Sequence, residues 1–125
     1  MDKLLYENEV FRIRGAIFEV YKEMGFGFLE PVYQECLVKE FQRVDIPFGA
    51  QIPLALTYKG EPLVQTYRPD FICFDKIIVE LKAFEAIAPQ HKLQVLNYLR
   101  GTNLRLGLIV NFGSAAKVQI DRVIL

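Results

Sequence analysis

At 125 residues and 14.4 kDa, with 52% hydrophobic and 24% charged residues, the chain has the size and composition of one ordinary globular unit, and a single domain over residues 1–125 is the expectation. Fifteen Lys and Arg balance fifteen Asp and Glu, so no global charge points to a polyanion or a membrane surface, and any nucleic-acid contact must be local. No apolar run of about 18 residues and no signal-peptide stretch occurs, and Cys36 and Cys73 stand far apart without metal-ligand spacing, so a cytoplasmic protein with two buried thiols and no membrane association is expected.

From Asn8, a residue suited to a helix cap, Val10, Ile13, Ile17, Val20, Tyr21 and Met24 recur at three and four and predict an amphipathic helix that Gly25 and Gly27 end. A second helix is predicted from about Phe28, with Pro31 in its first turn and Tyr33, Leu37, Phe41 and Val44 on one stripe; Pro47 and Gly49 close it. Ile52, Leu54, Leu56 and Tyr58 alternate as a strand up to a turn at Lys59 to Pro62. A β-rich run from Val64 to Phe74 and a strand at Ile77 to Val79 complete a three-strand meander. Pro89 opens a third helix that Gly101 stops, and Leu106 to Val110 read as a strand buried on both faces, joined in parallel through that helix. Asn111 to Ser114 form a turn before an edge strand from Val118 to Ile124. The fold class is α/β, in the order α-α-β-β-β-α-β with a mixed central sheet flanked by helices.

Charged residues inside apolar runs mark the chemistry, because an unpaired buried charge costs several kcal/mol. Asp70 lies in Arg68-Pro69-Asp70-Phe71, and Glu80 and Lys82, two apart on a strand, share a face. A three-residue loop from Phe74 to Lys76, or a bulge, sets Asp70 opposite Glu80; a two-residue loop sets it opposite Leu81 and puts the carboxylates on opposite faces. Paired carboxylates repel unless a cation such as Mg²⁺ lies between them, whereas an ion pair of either acid with Lys82 is the plainer alternative. Glu30 falls on the core-facing stripe of the second helix, and favourable placement in a first turn explains it equally well. His91, Gln94 and Tyr98 form a polar stripe on the third helix, either a solvent edge or a substrate contact. His91, the one histidine, has no partner nucleophile, and Gly25-Phe26-Gly27-Phe28 lacks the Lys and Ser/Thr of a phosphate loop.

Gly27-Phe28-Leu29-Glu30-Pro31-Val32-Tyr33 resembles the signature of the GxxExxY family, and Asp70 with Glu80-Leu81-Lys82 looks like the catalytic core of the PD-(D/E)xK nuclease superfamily, with Pro69 supplying the proline. Gln94 to Tyr98 is similar to the Q-x-x-x-Y motif of RecB-like and lambda-exonuclease-like members, and the resemblance runs from about Gly15 to Val110. It implies a restriction-endonuclease-like core in which Asp70, Glu80 and the Leu81 carbonyl hold Mg²⁺ or Mn²⁺. It further implies that Glu30 completes the acidic cluster directly or through water, that Lys82 activates the attacking water, and that Gln94 and Tyr98 position substrate or Lys82.

The expected activity is metal-dependent phosphodiester hydrolysis of DNA, or of RNA, with Arg12, Arg14, Lys92, Arg100 and Arg105 as the basic residues that could gather at the site. With three acids neutralised by metal, weak and salt-sensitive phosphate contacts become feasible. Two other readings predict different observations. A catalytically silent binding or assembly module, for instance a homodimer, predicts no divalent-ion binding; a protein whose acids merely pair with Lys82 predicts Asp70 and Glu80 on opposite faces.

Overall fold

The computed structural model describes residues 4–125. In chain order the elements are α1 (Glu7–Met24), α2 (Glu30–Arg43), β1 (Phe48–Ala50), β2 (Leu54–Tyr58), β3 (Glu61–Tyr67), β4 (Phe71–Cys73), β5 (Ile77–Lys82), α3 (Pro89–Thr102), β6 (Leu106–Asn111) and β7 (Gln119–Ile124). The main sheet runs β1-β4-β5-β6-β7, with β5 and β6 parallel and the other pairs antiparallel; β2 and β3 form a separate hairpin.

Alternation along β5 decides which side chains meet which helices. Ile77, Val79 and Leu81 point to the face covered by α1 and α2, joining Ile13, Ile17, Tyr33 and Leu37 in the larger core. Ile78 points to the other face, where Val95 and Leu99 of α3, Tyr67 and Ile109 form a second core. Each of these fully buried aliphatic side chains contributes roughly 1.5–3 kcal/mol relative to exposure. Glu80 and Lys82 follow Ile78 and stand on the α3 side. Among the described residues no helix is long and apolar enough to cross a membrane.

The structure corrects several expectations. The α1 N-cap is Tyr6, in a left-handed conformation, instead of Asn8, and α2 starts at Glu30 after an extended Leu29. Pro47 and Gly49 are not a bare helix stop: Phe48 to Ala50 extend and pair with β4. The meander is broken because Pro69 lacks an N–H and restricts Arg68, so β3 stays in its hairpin while β4 joins the main sheet. α3 ends on left-handed Asn103; Gly101 instead lets Leu56 of the hairpin pack close, a Cβ there meeting its side chain at 2.7 Å. Asn111 is the last, fully buried residue of β6, not a turn residue.

Candidate active site

Phe74 and Asp75 take left-handed conformations and Lys76 N–H closes the turn on the Cys73 carbonyl, which leaves Lys76 as an extra residue in the β4–β5 loop. The register is then Phe71 opposite Val79 and Cys73 opposite Ile77. One step further, Asp70 comes opposite Glu80. There the regular ladder has ended and side chains replace it: Asp70 N–H donates to Glu80 Oε1 at 3.0 Å, and Leu81 N–H donates to Asp70 Oδ2 at 2.7 Å.

Glu80 Oε1 also accepts the Tyr67 hydroxyl at 2.8 Å, and the Tyr67 ring is stacked on Tyr98, 3.8 Å between centroids and 3° from parallel. Burial, and then the neighbouring Asp70 charge, push the Glu80 carboxyl up to about 7. Burial raises Asp70 as well, opposed by the Leu81 N–H and the Lys82 charge. Tyr67 is held in its neutral form by burial and by Glu80. Lys82 favours the charged form of both acids but pairs with neither, since the ion pairs among the described residues are Lys76–Glu9 at 2.6 Å and Lys92–Asp121 at 3.1 Å. The carboxylates therefore share one edge of the sheet, against the reading that separates them on opposite faces.

Beside Asp70, on the α2 side, lies a cleft of about 330 Å³ walled by Glu30, Gln34, Gln51, Asp70 and Leu81 among others. Gln34 Nε2 and the Gln51 amide both donate to the Asp70 carbonyl at 3.2 Å. Gln34 Oε1 is buried without a partner, an arrangement that costs about 1–3 kcal/mol. Tyr33 organises the approach to Glu30: its hydroxyl donates to the Gly25 carbonyl at 2.7 Å and accepts Phe28 N–H at 3.3 Å, closing a turn in which Gly25 and Gly27 both have positive φ.

A sequence model of the PD-(D/E)XK nuclease superfamily matches residues 7–123. The chain belongs to the PD-(D/E)XK nuclease superfamily. The mixed five-stranded sheet flanked by helices agrees with the restriction-endonuclease-like fold. Among solved structures the chain is similar to the crystal structure of SSO0001, with a TM-score of 0.55 and 15% identity, covering 75% of this chain and 48% of that one. It thus spans about half the length of that protein, and at this identity the likeness shows the fold alone. No curated protein matches the chain.

Within this nuclease fold the expected residues divide into those that meet and those that do not. Asp70 and Glu80 meet, with Lys82 on the face of Glu80. Glu30 shares the cleft with Asp70, but Glu80 and Lys82 do not wall it, and among the described residues no three His, Cys, Asp or Glu side chains lie close enough together to hold a metal. The expected three-acid cluster is therefore not formed, because α2 covers the face of Leu81 whereas Glu80 points to the face of α3. Gln94 is exposed and bonds none of these residues, and Tyr98 reaches Glu80 only through Tyr67. His91 caps α3, its Nδ1 accepting Ala88 N–H at 3.1 Å.

The basic residues do not gather. Arg12 donates to the Val44 and Asp45 carbonyls after α2, Arg14 lies over Phe18, Lys92 pairs with Asp121, Arg100 donates to Asn97, and Arg105 precedes β6 at the end away from Lys82. Three positions that matter went unread: Tyr67, Gln34 and Asn111. Asn111 Oδ1 accepts Phe84 N–H and Gly113 N–H, both at 3.0 Å, and so fixes the chain that leaves Lys82. Only Gln34 carried a signal, one helical turn after Glu30; Glu80, the partner of Tyr67, and Phe84, the long-range partner of Asn111, lie 13 and 27 residues away.

Members of this superfamily generally use divalent metal ions, and the donor set here fits one. The hydrogen bonds engage Asp70 Oδ2 and Glu80 Oε1, leaving Oδ1 and Oε2 for a ligand. Leu81 turns its N–H to Asp70, and in an extended strand the carbonyl of the same residue faces the same side. Hard cations take such oxygen donors, and burial makes both carboxylates costly as anions until a positive charge joins them.

Proposed function

We propose that residues 1–125 form one domain of a metal-dependent nuclease of the GxxExxY type, cytoplasmic, that hydrolyses phosphodiester bonds, in DNA in preference to RNA. The observation that carries this reading is the Asp70–Glu80 pair at the open end of the β4–β5 hairpin, with Lys82 on the Glu80 face and without an ion pair among the described residues.

Asp70, Glu80 and the Leu81 carbonyl hold Mg²⁺ or Mn²⁺, with Glu30 acting from the cleft through water. Such an ion polarises a phosphoryl oxygen, favours a nucleophile near neutral pH and stabilises the leaving oxygen. Lys82 orients the attacking water and faces the charge that grows on the phosphate. Tyr67 holds Glu80 in place, Tyr98 backs Tyr67, and Gln94, exposed on α3, contacts the substrate strand. Because the basic residues are dispersed, nucleic acid binds weakly and in a salt-sensitive way.

Plasmid nicking and single-strand degradation in Mg²⁺ or Mn²⁺ test the proposal. Wild type cleaves and Asp70→Ala does not; equal behaviour of the two on every nucleic acid overturns it. The separation of Glu30 from Glu80 favours a second reading, a silent nuclease-fold module or homodimer. That reading requires that Mn²⁺ does not bind at all.

A further inference from the structure

Gln34 is the one side chain among the described residues with a buried polar atom that lacks a hydrogen-bond partner. Its amide orientation is not arbitrary. Nε2 donates to the Asp70 carbonyl at 3.2 Å, and the flipped amide would set two acceptor oxygens against each other. Oε1 is therefore held on the side away from that carbonyl, within a wall shared with Glu30, Asp70 and Leu81. Glu30 and Gln34 are one helical turn apart on α2, and both wall the same cleft.

We propose that Gln34 Oε1 is an additional neutral oxygen donor for the divalent cation at Asp70, reaching it directly or through one water, while Nε2 locks the Asp70 backbone. This rests on the metal-dependent reading above and assigns the α2 side of the site to Gln34 as well as to Glu30. A carboxamide oxygen suits Mg²⁺ and Mn²⁺, and an amide anchored by its own nitrogen offers that oxygen with little conformational freedom left to lose. The arrangement also accounts for an unpartnered acceptor that an apolar side chain at position 34 would avoid.

Calorimetric titration with Mn²⁺, Mg²⁺ and Co²⁺ of wild type, Gln34→Leu, Gln34→His and Asp70→Ala tests this without any activity assay. Gln34→Leu weakens Mn²⁺ binding by roughly 10-fold or more, the usual loss on removing a supporting donor. Gln34→His substitutes a nitrogen donor, so Co²⁺ affinity recovers relative to Mg²⁺ and the Co²⁺ to Mg²⁺ ratio rises roughly 10-fold; a role confined to holding Asp70 would leave that ratio unchanged. Loss of binding in Asp70→Ala with Gln34→Leu within about twofold of wild type overturns the Gln34 assignment alone, as does an unchanged ion ratio in Gln34→His. Undiminished binding in Asp70→Ala overturns the metal site itself and this inference with it.

Discussion

Asp70 and Glu80 are joined across the end of a hairpin by their own backbone: the Asp70 amide donates to the Glu80 carboxylate, and the next amide on β5, that of Leu81, donates to the Asp70 carboxylate. Two acids that would repel in a dry interior are thus held side by side by donors that leave each with a free oxygen. That relationship, more than either residue alone, sets what can be tested.

Asp70→Ala and Lys82→Ala should fail in different ways. Removing Asp70 takes away an oxygen donor and the Leu81 anchor, so both Mn²⁺ affinity and cleavage are lost. Lys82 touches neither carboxylate within ion-pair distance, so Lys82→Ala keeps Mn²⁺ binding and lowers the cleavage rate by roughly 100-fold or more, in the range seen when one charge-stabilising donor is removed. Single-turnover rates measured alongside calorimetric titration separate the two.

Stability of the metal-free protein should fall as pH rises from the ordinary glutamate value of 4.5 to about 7. In that window the folded protein keeps a proton on Glu80 that the unfolded chain has released, so the unfolded state binds fewer protons and deprotonation favours it. The raised Asp70 acts in the same direction. The loss amounts to roughly 3 kcal/mol, levels off above pH 7, and is largely removed in Glu80→Gln. Urea unfolding in chelator across pH 4 to 8 reads this directly.

Tyr67 is expected to act on Glu80 and Tyr98 on Tyr67. Tyr67→Phe keeps the stack but deletes the hydroxyl, costing about 1 kcal/mol and raising the Glu80 carboxyl further, since that bond holds it down. Tyr98→Phe keeps the ring and should be near neutral, whereas Tyr98→Leu loses the stack, about 1 kcal/mol beyond area, and reduces cleavage through Tyr67. Tyr98→Phe and Tyr98→Leu giving equal rates would argue against this order of action.

Two glycines should respond unequally to alanine. A Cβ on Gly113 would collide with the backbone of Ala83 and Phe84, where the chain leaves Lys82, so Gly113→Ala costs on the order of 2 kcal/mol and lowers cleavage. At Gly101 the obstacle is the end of the Leu56 side chain, which can turn aside, and Gly101→Ala costs roughly 1 kcal/mol or less without affecting the site. Thermal unfolding and cleavage rates of the pair check both halves.

Much of this is legible in the amino-acid sequence. Three helices, the doubly buried β6 with its parallel crossover, and the dependence of the Asp70–Glu80 pairing on an odd loop or bulge all follow from periods of 3.6 and 2, which are local properties of the chain. Acids and a lysine placed in apolar runs singled out Asp70, Glu80 and Lys82 for the same reason. The break at Pro69 carried a local signal as well, but which strand β4 then joins did not, because pairing with β1 spans residues far apart in the chain.

The face on which a long-range partner lies cannot be read from spacing. Glu30 falls on the cleft side because α2 covers the Leu81 face, and Glu80 on the α3 side because it alternates with Leu81. Tyr67, Asn111 and Gln34 each hold a partner far off in the chain, 13, 27 and 36 residues away, and Arg12 is taken up by carbonyls 32 and 33 residues distant. Periodicity sorts each element into an inside and an outside; packing then chooses which inside, and that choice sets Glu30 on the α2 side of the sheet and Glu80 on the α3 side.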